Sequence, residues 1–118
     1  MPKLLLVDDS DSNRVTLAVL LEEEGFSVQT ADSFAQARQS LGGTTVFDAV
    51  LLDQNLGDGR GTDLMPLINE RMPNAKVLLI SGSVREDEVP TVGLYGIVTK
   101  GAAFPDVLDL VRKALAGR

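Results

Sequence analysis

Five residues of this chain are of types that could do chemistry together: the acid pair Asp8-Asp9, the acid Asp53, the hydroxyl of Ser81 and the ammonium of Lys100. Each stands where an apolar run stops: "LLLV" before Asp8, "AVLL" before Asp53, "VLLI" before Ser81 and "IVT" before Lys100. Three carboxylates brought together repel one another and raise one another's pKa unless a cation joins them. Mg2+ is the natural candidate, because it takes hard oxygen ligands, keeps several waters and commonly uses one or two carboxylates plus a phosphate oxygen. Its spare positions suit a phosphoryl group, and an aspartate carboxylate can attack phosphorus to give an acyl phosphate. Phosphoryl transfer asks mainly for positioning and charge neutralisation. A metal, a hydroxyl and an ammonium meet that need, with Ser81 donating to one phosphoryl oxygen and Lys100 pairing with another. Singly, each residue has an ordinary reading. An acid after a strand is usually a turn or helix-cap residue, Ser81-Gly82-Ser83 reads as loop, and a lysine is usually solvated. Their joint placement is the signal.

That placement depends on the elements behind it. Apolar runs at residues 4–7, 28–31, 49–52, 77–80 and 97–99 read as five strands. The first, third and fourth are continuous rather than alternating, as expected of strands covered on both faces. Between them lie helical patterns. Residues 12–24 set Val15, Val19 and either Leu20 or Leu21 at helical spacing, and Gly25 follows as a stop. Residues 33–41 start on a capping-type serine and end before Gly42-Gly43, residues 62–72 end before Pro73, and residues 104–115 form the last helix. Residues 84–92 are the weakest helical pattern, with an acidic start and Pro90 in the interior. Strands alternating with helices predict the α/β class: a doubly wound, five-stranded parallel sheet with helices on both faces, in one domain of residues 1–118. In such sheets ligands bind beyond the carboxyl ends of the strands, where strand order reverses. All five reactive side chains fall at that edge.

Composition narrows the function classes. At 44% hydrophobic and 24% charged residues, the chain reads as a globular domain with a core of its own. Histidine and cysteine are both absent. That excludes imidazole as base, nucleophile, phosphate carrier or ligand, and it excludes thiolate metal sites and disulfides. Eleven Lys+Arg against 17 Asp+Glu give a net charge of −6, which argues against direct nucleic-acid binding. No apolar stretch approaches a membrane span and the run after Lys3 is too short for a secretory signal, so the expected location is the cytoplasm. Gly57, Gly59 and Gly61 imitate a phosphate cradle, but Thr62 stands where the third glycine of that motif belongs, so they read as turn residues.

Taken together, four stretches resemble the CheY-like receiver domains of bacterial two-component response regulators: "LLLVDDSDSNR", "DAVLLDQNLGDGRG", "VLLISG" and "GIVTKG". They occur in family order and span essentially the whole chain. The resemblance implies a flavodoxin-like strand order 2-1-3-4-5 and Asp53 as phosphoacceptor. It implies Mg2+ held by Asp9, Asp53 and the backbone carbonyl of Asn55, with Asp8 acting largely through water. Ser81 becomes the switch hydroxyl and Lys100 the contact to the phosphoryl group. The implied donor is a sensor histidine kinase or phosphotransfer protein in a phosphorelay. The implied chemistry is self-phosphorylation and autodephosphorylation rather than enzymatic turnover. Having no histidine, the chain must receive its phosphate from another molecule or domain.

Three departures mark this sequence. Ile97 stands where the family has a switch aromatic, with Tyr95 two residues earlier on the same strand face. Gly101 follows the lysine where proline is usual, so the loop must fold by another path. The stretch from Ser81 to Lys100 is a few residues short, and the loss falls in residues 84–92, which shortens the fourth helix of the family's usual signalling face. The expectation is intact chemistry with an altered output. The alternative is a receiver-fold interaction module that works without phosphorylation. A haloacid-dehalogenase-type phosphatase would need a second aspartate where Asn55 stands, and a flavodoxin-like cofactor binder would not place three acids at its phosphate edge.

Overall fold

Continuous apolar runs need cover on both faces, and they fold as the centre of a parallel sheet. The computed structural model describes residues 1–82 and 94–116. Its strands are β1 (Lys3–Val7), β2 (Ser27–Ala31), β3 (Ala49–Asp53), β4 (Lys76–Ser81) and β5 (Leu94–Thr99). Its helices are α1 (Asp11–Glu23), α2 (Phe34–Leu41), α3 (Met65–Arg71) and α4 (Phe104–Ala116), with a 3-10 turn at Gly61–Leu64 leading into α3. The expected helix at residues 84–92 lies outside the described residues. Among the described residues these strands pair in parallel, in the order β2-β1-β3-β4-β5. Strand order therefore reverses between β1 and β3, where the doubly wound fold and strand order predict a ligand crevice.

Alternate residues of each strand serve opposite faces. Leu5, Val7, Val50, Leu52, Val77 and Leu79 pack with Ala37 and Leu41 of α2 and Met65 and Ile68 of α3. Leu4, Leu6, Ala49, Leu51, Leu78 and Ile80 pack with Ala18 and Leu21 of α1 and Val107 and Val111 of α4. Burying one such leucine side chain is worth roughly 1.5–3 kcal/mol, so the two faces hold the strand ends in fixed register.

The ends of the helices follow their sequence signals. Gly25 takes φ +95° and closes α1. Its N–H donates to the Glu22 carbonyl and the Phe26 N–H to the Leu21 carbonyl, the paired bonds of a Schellman ending. Ser33 Oγ accepts the Gln36 N–H and caps α2.

Two expectations need correction. Helix α1 does not turn Val15 and Val19 inward; they are 57% and 48% exposed, while Ala18 and Leu21 are buried. The inner stripe includes Arg14, whose side chain is only 14% exposed, so counting apolar residues placed the stripe one position off. On β5, Val77 pairs with Leu94 and Leu78 with Gly96, which makes Tyr95 the extra residue of a bulge. Leu94, not Tyr95, joins Ile97 against the α2 and α3 side of the core.

Directly after β3 the chain must double back beside its own strand. Gly61 donates its N–H to the Gln54 carbonyl at 3.0 Å. A Cβ at Gly61 would collide with the Asp53 carbonyl oxygen. Gly61→Ala is expected to cost about 1–3 kcal/mol in urea unfolding. At Gly43 an added Cβ would meet the Ser40 carbonyl at an ordinary 3.5 Å, so Gly43→Ala should stay within about 0.5 kcal/mol. Equal losses for the two variants would contradict the close approach.

Candidate functional site

The turn after β1 is fixed before it meets any partner. The Asp8 N–H donates to the Ala31 carbonyl at 3.1 Å. Asp8 Oδ1 accepts the Ser10 N–H at 2.8 Å, and the Asp8 carbonyl accepts Nη1 of Arg14 at 2.9 Å. Arg14 is itself paired with Asp11. Asp8 is buried and Asp9 exposed.

Asp53 is the last residue of β3 and is fully buried. It pairs in register with Ile80, and Ser81, also buried, is the next residue of β4 and pairs with Thr99. The Lys100 N–H donates to the Ser81 carbonyl at 2.9 Å, which holds the start of the β5–α4 loop against the end of β4. From there Lys100 Nζ reaches Asp53 Oδ1 at 3.1 Å. The Asn55 N–H donates to the same oxygen at 3.1 Å. Asp53 Oδ2 is buried and has no hydrogen-bond partner among the described residues. One carboxylate oxygen each from Asp8, Asp9 and Asp53 lies within 4.8 Å of the others.

This geometry sets the charge balance. Burial pushes the Asp53 carboxyl above its ordinary 3.8, against the lowering effect of the Asn55 N–H and Lys100; the Asp8 charge raises it further. Among the described residues the Lys100 ammonium pairs with the Asp53 carboxylate, and the Asp8 and Asp9 carboxylates lie beside it. A buried carboxylate oxygen without a donor, beside two further carboxylates, fits a hard divalent cation held by oxygen. Lys100 remains 36% exposed while it pairs with the buried Asp53.

Asp8, Asp9, Asp53, Asn55, Ser81 and Lys100 thus gather at the carboxyl edge, across β1, β3, β4 and β5. Ile97 is half-buried against the core and Tyr95 is exposed, with the Lys76 ammonium 6.0 Å from its ring centre. Gly101 takes φ +87°, a conformation that favours glycine in the loop after the lysine. Sequence reading missed the supports. Arg14 holds the acid turn, and Gln54 clamps Thr62 through Oε1 at 3.1 Å and Nε2 at 3.2 Å. Asp58 bonds the backbone of Phe34 and Ala35. Arg14 had a signal, its three-residue spacing from Asp11; Asp58 had none, because its partners lie 24 and 23 residues away.

A family model described as the response regulator receiver domain matches residues 4–112. The alginate biosynthesis transcriptional regulatory protein AlgB of Pseudomonas putida is 38% identical over 79 residues, 67% of this chain, which spans 17% of that protein's length. A CheY-like response regulator receiver domain protein from Methanospirillum hungatei has the same fold, with a TM-score of 0.92 at 23% identity over 99% of this chain and 95% of that one. Response regulator TrrA of Thermotoga maritima, solved in complex with Mg2+ and BeF, gives 0.85 at 26% identity, covering 98% of this chain and 100% of its own. With nearly its whole length matched by that family model, the chain belongs to the response regulator receiver domain family.

Proposed function

We propose that residues 1–118 act as one receiver domain that takes a phosphoryl group on Asp53 and switches between two signalling states. The donor is a phosphohistidine on a sensor histidine kinase or a phosphotransfer protein, which provides the imidazole this chain lacks. Asp9, Asp53 and the Asn55 carbonyl would hold Mg2+, with Asp8 acting through water. When bound, the ion supplies positive charge to the phosphoryl oxygens. The domain accepts and slowly loses phosphate and turns over no separate substrate. We assign it to the cytoplasm; among the described residues no helix is long and apolar enough to cross a membrane. Its acidic charge argues against direct nucleic-acid contact, so the signal passes to an effector or output domain.

The observation that carries this reading is the Asp53 carboxylate. Oδ1 is tied by Lys100 and the Asn55 N–H, while buried Oδ2 is left with a lone pair and two acids beside it. In the transfer, Oδ2 attacks phosphorus, the bond from the histidine nitrogen breaks, and the imidazole leaves with its electron pair. Lys100 neutralises charge on the transferred group, and the Ser81 hydroxyl donates to one of its oxygens. The TrrA complex with Mg2+ and BeF supports the same reading for this chain.

A second reading, an interaction module independent of phosphorylation, is favoured by Ile97. It is packed against the core and has no hydroxyl to exchange between two positions. Under that reading beryllofluoride would leave the backbone amides of β5 unmoved. Under the leading one they shift.

Incubation with Mg2+ and acetyl phosphate should add one phosphoryl group by intact mass, and Asp53→Asn should abolish it. Lys100→Met is expected to slow uptake by about 10²-fold or more, as for loss of one charge-stabilising group. An adduct that survives Asp53→Asn would remove the assignment. A pH dependence follows from the raised Asp53 carboxyl. The folded state keeps a proton that the unfolded chain releases, so this group's stabilisation is full below its ordinary 3.8 and is lost as pH rises through the folded value. Asp53→Asn should therefore raise Tm by a few degrees at about pH 7 and by less at about pH 4. The same gain at both would contradict the burial penalty.

A further inference from the structure

The loop at residues 54–60 joins the acidic site to the start of α2. The first free N–H groups of that helix, on Phe34 and Ala35, do not turn to a local cap. They donate to the two carboxylate oxygens of Asp58, at 2.8 and 3.1 Å. Ser33 Oγ accepts the remaining N–H of the same turn, that of Gln36. A carboxylate at a helix N-terminus is favoured by the dipole and by charge-assisted bonds. These bonds also hold the Asp58 carboxyl below its ordinary 3.8.

Between Asp53 and Asp58 the loop has little room to give. The Asn55 N–H sits on Asp53 Oδ1, and Asn55 pairs across the loop with Arg60. The Leu56 N–H donates to the Gly59 carbonyl at 3.1 Å and the Asp58 N–H to the Leu56 carbonyl at 2.6 Å. Gly57, at φ +70°, passes beside the site, where an added Cβ would lie 3.9 Å from Asp9 Oδ2. Gly59 rests on the Phe34 ring so closely that a Cβ would lie 2.7 Å from it. Phe34 in turn packs against the α2 and α3 side of the core. A short, self-bonded loop, fixed to the acids at one end and to a helix at the other, cannot move at one end alone.

We propose that Asp58 is a positioning residue for the cation site, and that loop 54–60 carries the state of that site to α2. The proposal rests on the receiver reading, in which the Asn55 carbonyl is a cation ligand. It gives this chain a route out of the site that bypasses Ile97. Linkage makes the effect reciprocal. If the Asp58 cap favours the loop geometry the cation needs, the cation strengthens the cap by the same factor.

The test is Mg2+ titration of the full chain, followed by calorimetry and by the amide resonances of Phe34 and Ala35. In the wild type, Mg2+ should shift both amides. Asp58→Ala should weaken Mg2+ binding about fivefold or more, and Asp58→Asn, which keeps an acceptor oxygen, should recover part of the loss. Ser33→Ala removes a cap from the same helix without touching the loop and should stay within about twofold of wild type. Wild-type affinity in Asp58→Ala, or an equal loss in Ser33→Ala, would show that the cap stabilises α2 and nothing more. A wild-type chain that binds no Mg2+ overturns the receiver reading itself, and this proposal with it.

Discussion

A carboxylate buried at the end of a central strand is an unfavourable arrangement on its own. Asp53 loses water on folding and recovers two donors on one oxygen, the Lys100 ammonium and the Asn55 N–H, while the other oxygen finds none among the described residues. Asp8 adds repulsion from across the switch point, and Asp9 lies in the same acid cluster. A chain selected for stability alone would place an apolar residue there, as it does at Leu52 and Ile80. The rest of the fold supplies the rigidity that keeps these like charges together. Both faces of the sheet are packed, Arg14 fixes the acid turn, and Gly61 lets the chain return beneath Asp53.

That constraint also explains why the site was legible in the sequence. Strands buried on both faces appear as unbroken apolar runs, so a charged residue ending each run is conspicuous. Parallel topology then sends every such ending to one edge. The positions of Asp8, Asp9, Asp53, Ser81 and Lys100 followed from those two facts, and the strand order followed from the family resemblance. Helix ends at Ser33 and Gly25 were equally readable, because their signals are local and chemical.

What stayed hidden depended on tertiary detail. The inner face of α1 includes Arg14, a residue that buries its stem and spends its head on a backbone carbonyl; periodicity of apolar residues cannot count it. The bulge at Tyr95 comes from strand pairing and leaves no mark in composition. Asp58 sits among glycines in a stretch that reads as a turn, and its role depends on a helix that begins 24 residues earlier. The supports of the site were therefore less visible than the site.

The acids, hydroxyl and lysine sit at strand ends that the core holds in place, with Ile97 packed against that core and Gly101 turning the loop beyond Lys100. The most direct measurement of the central claim is anomalous scattering from crystals grown with Mn2+ in place of Mg2+. The expected result is an ion bonded to the Asp9 and Asp53 carboxylates. Crystals saturated with Mn2+ that hold no ion there, or hold it elsewhere on the molecule, would contradict it.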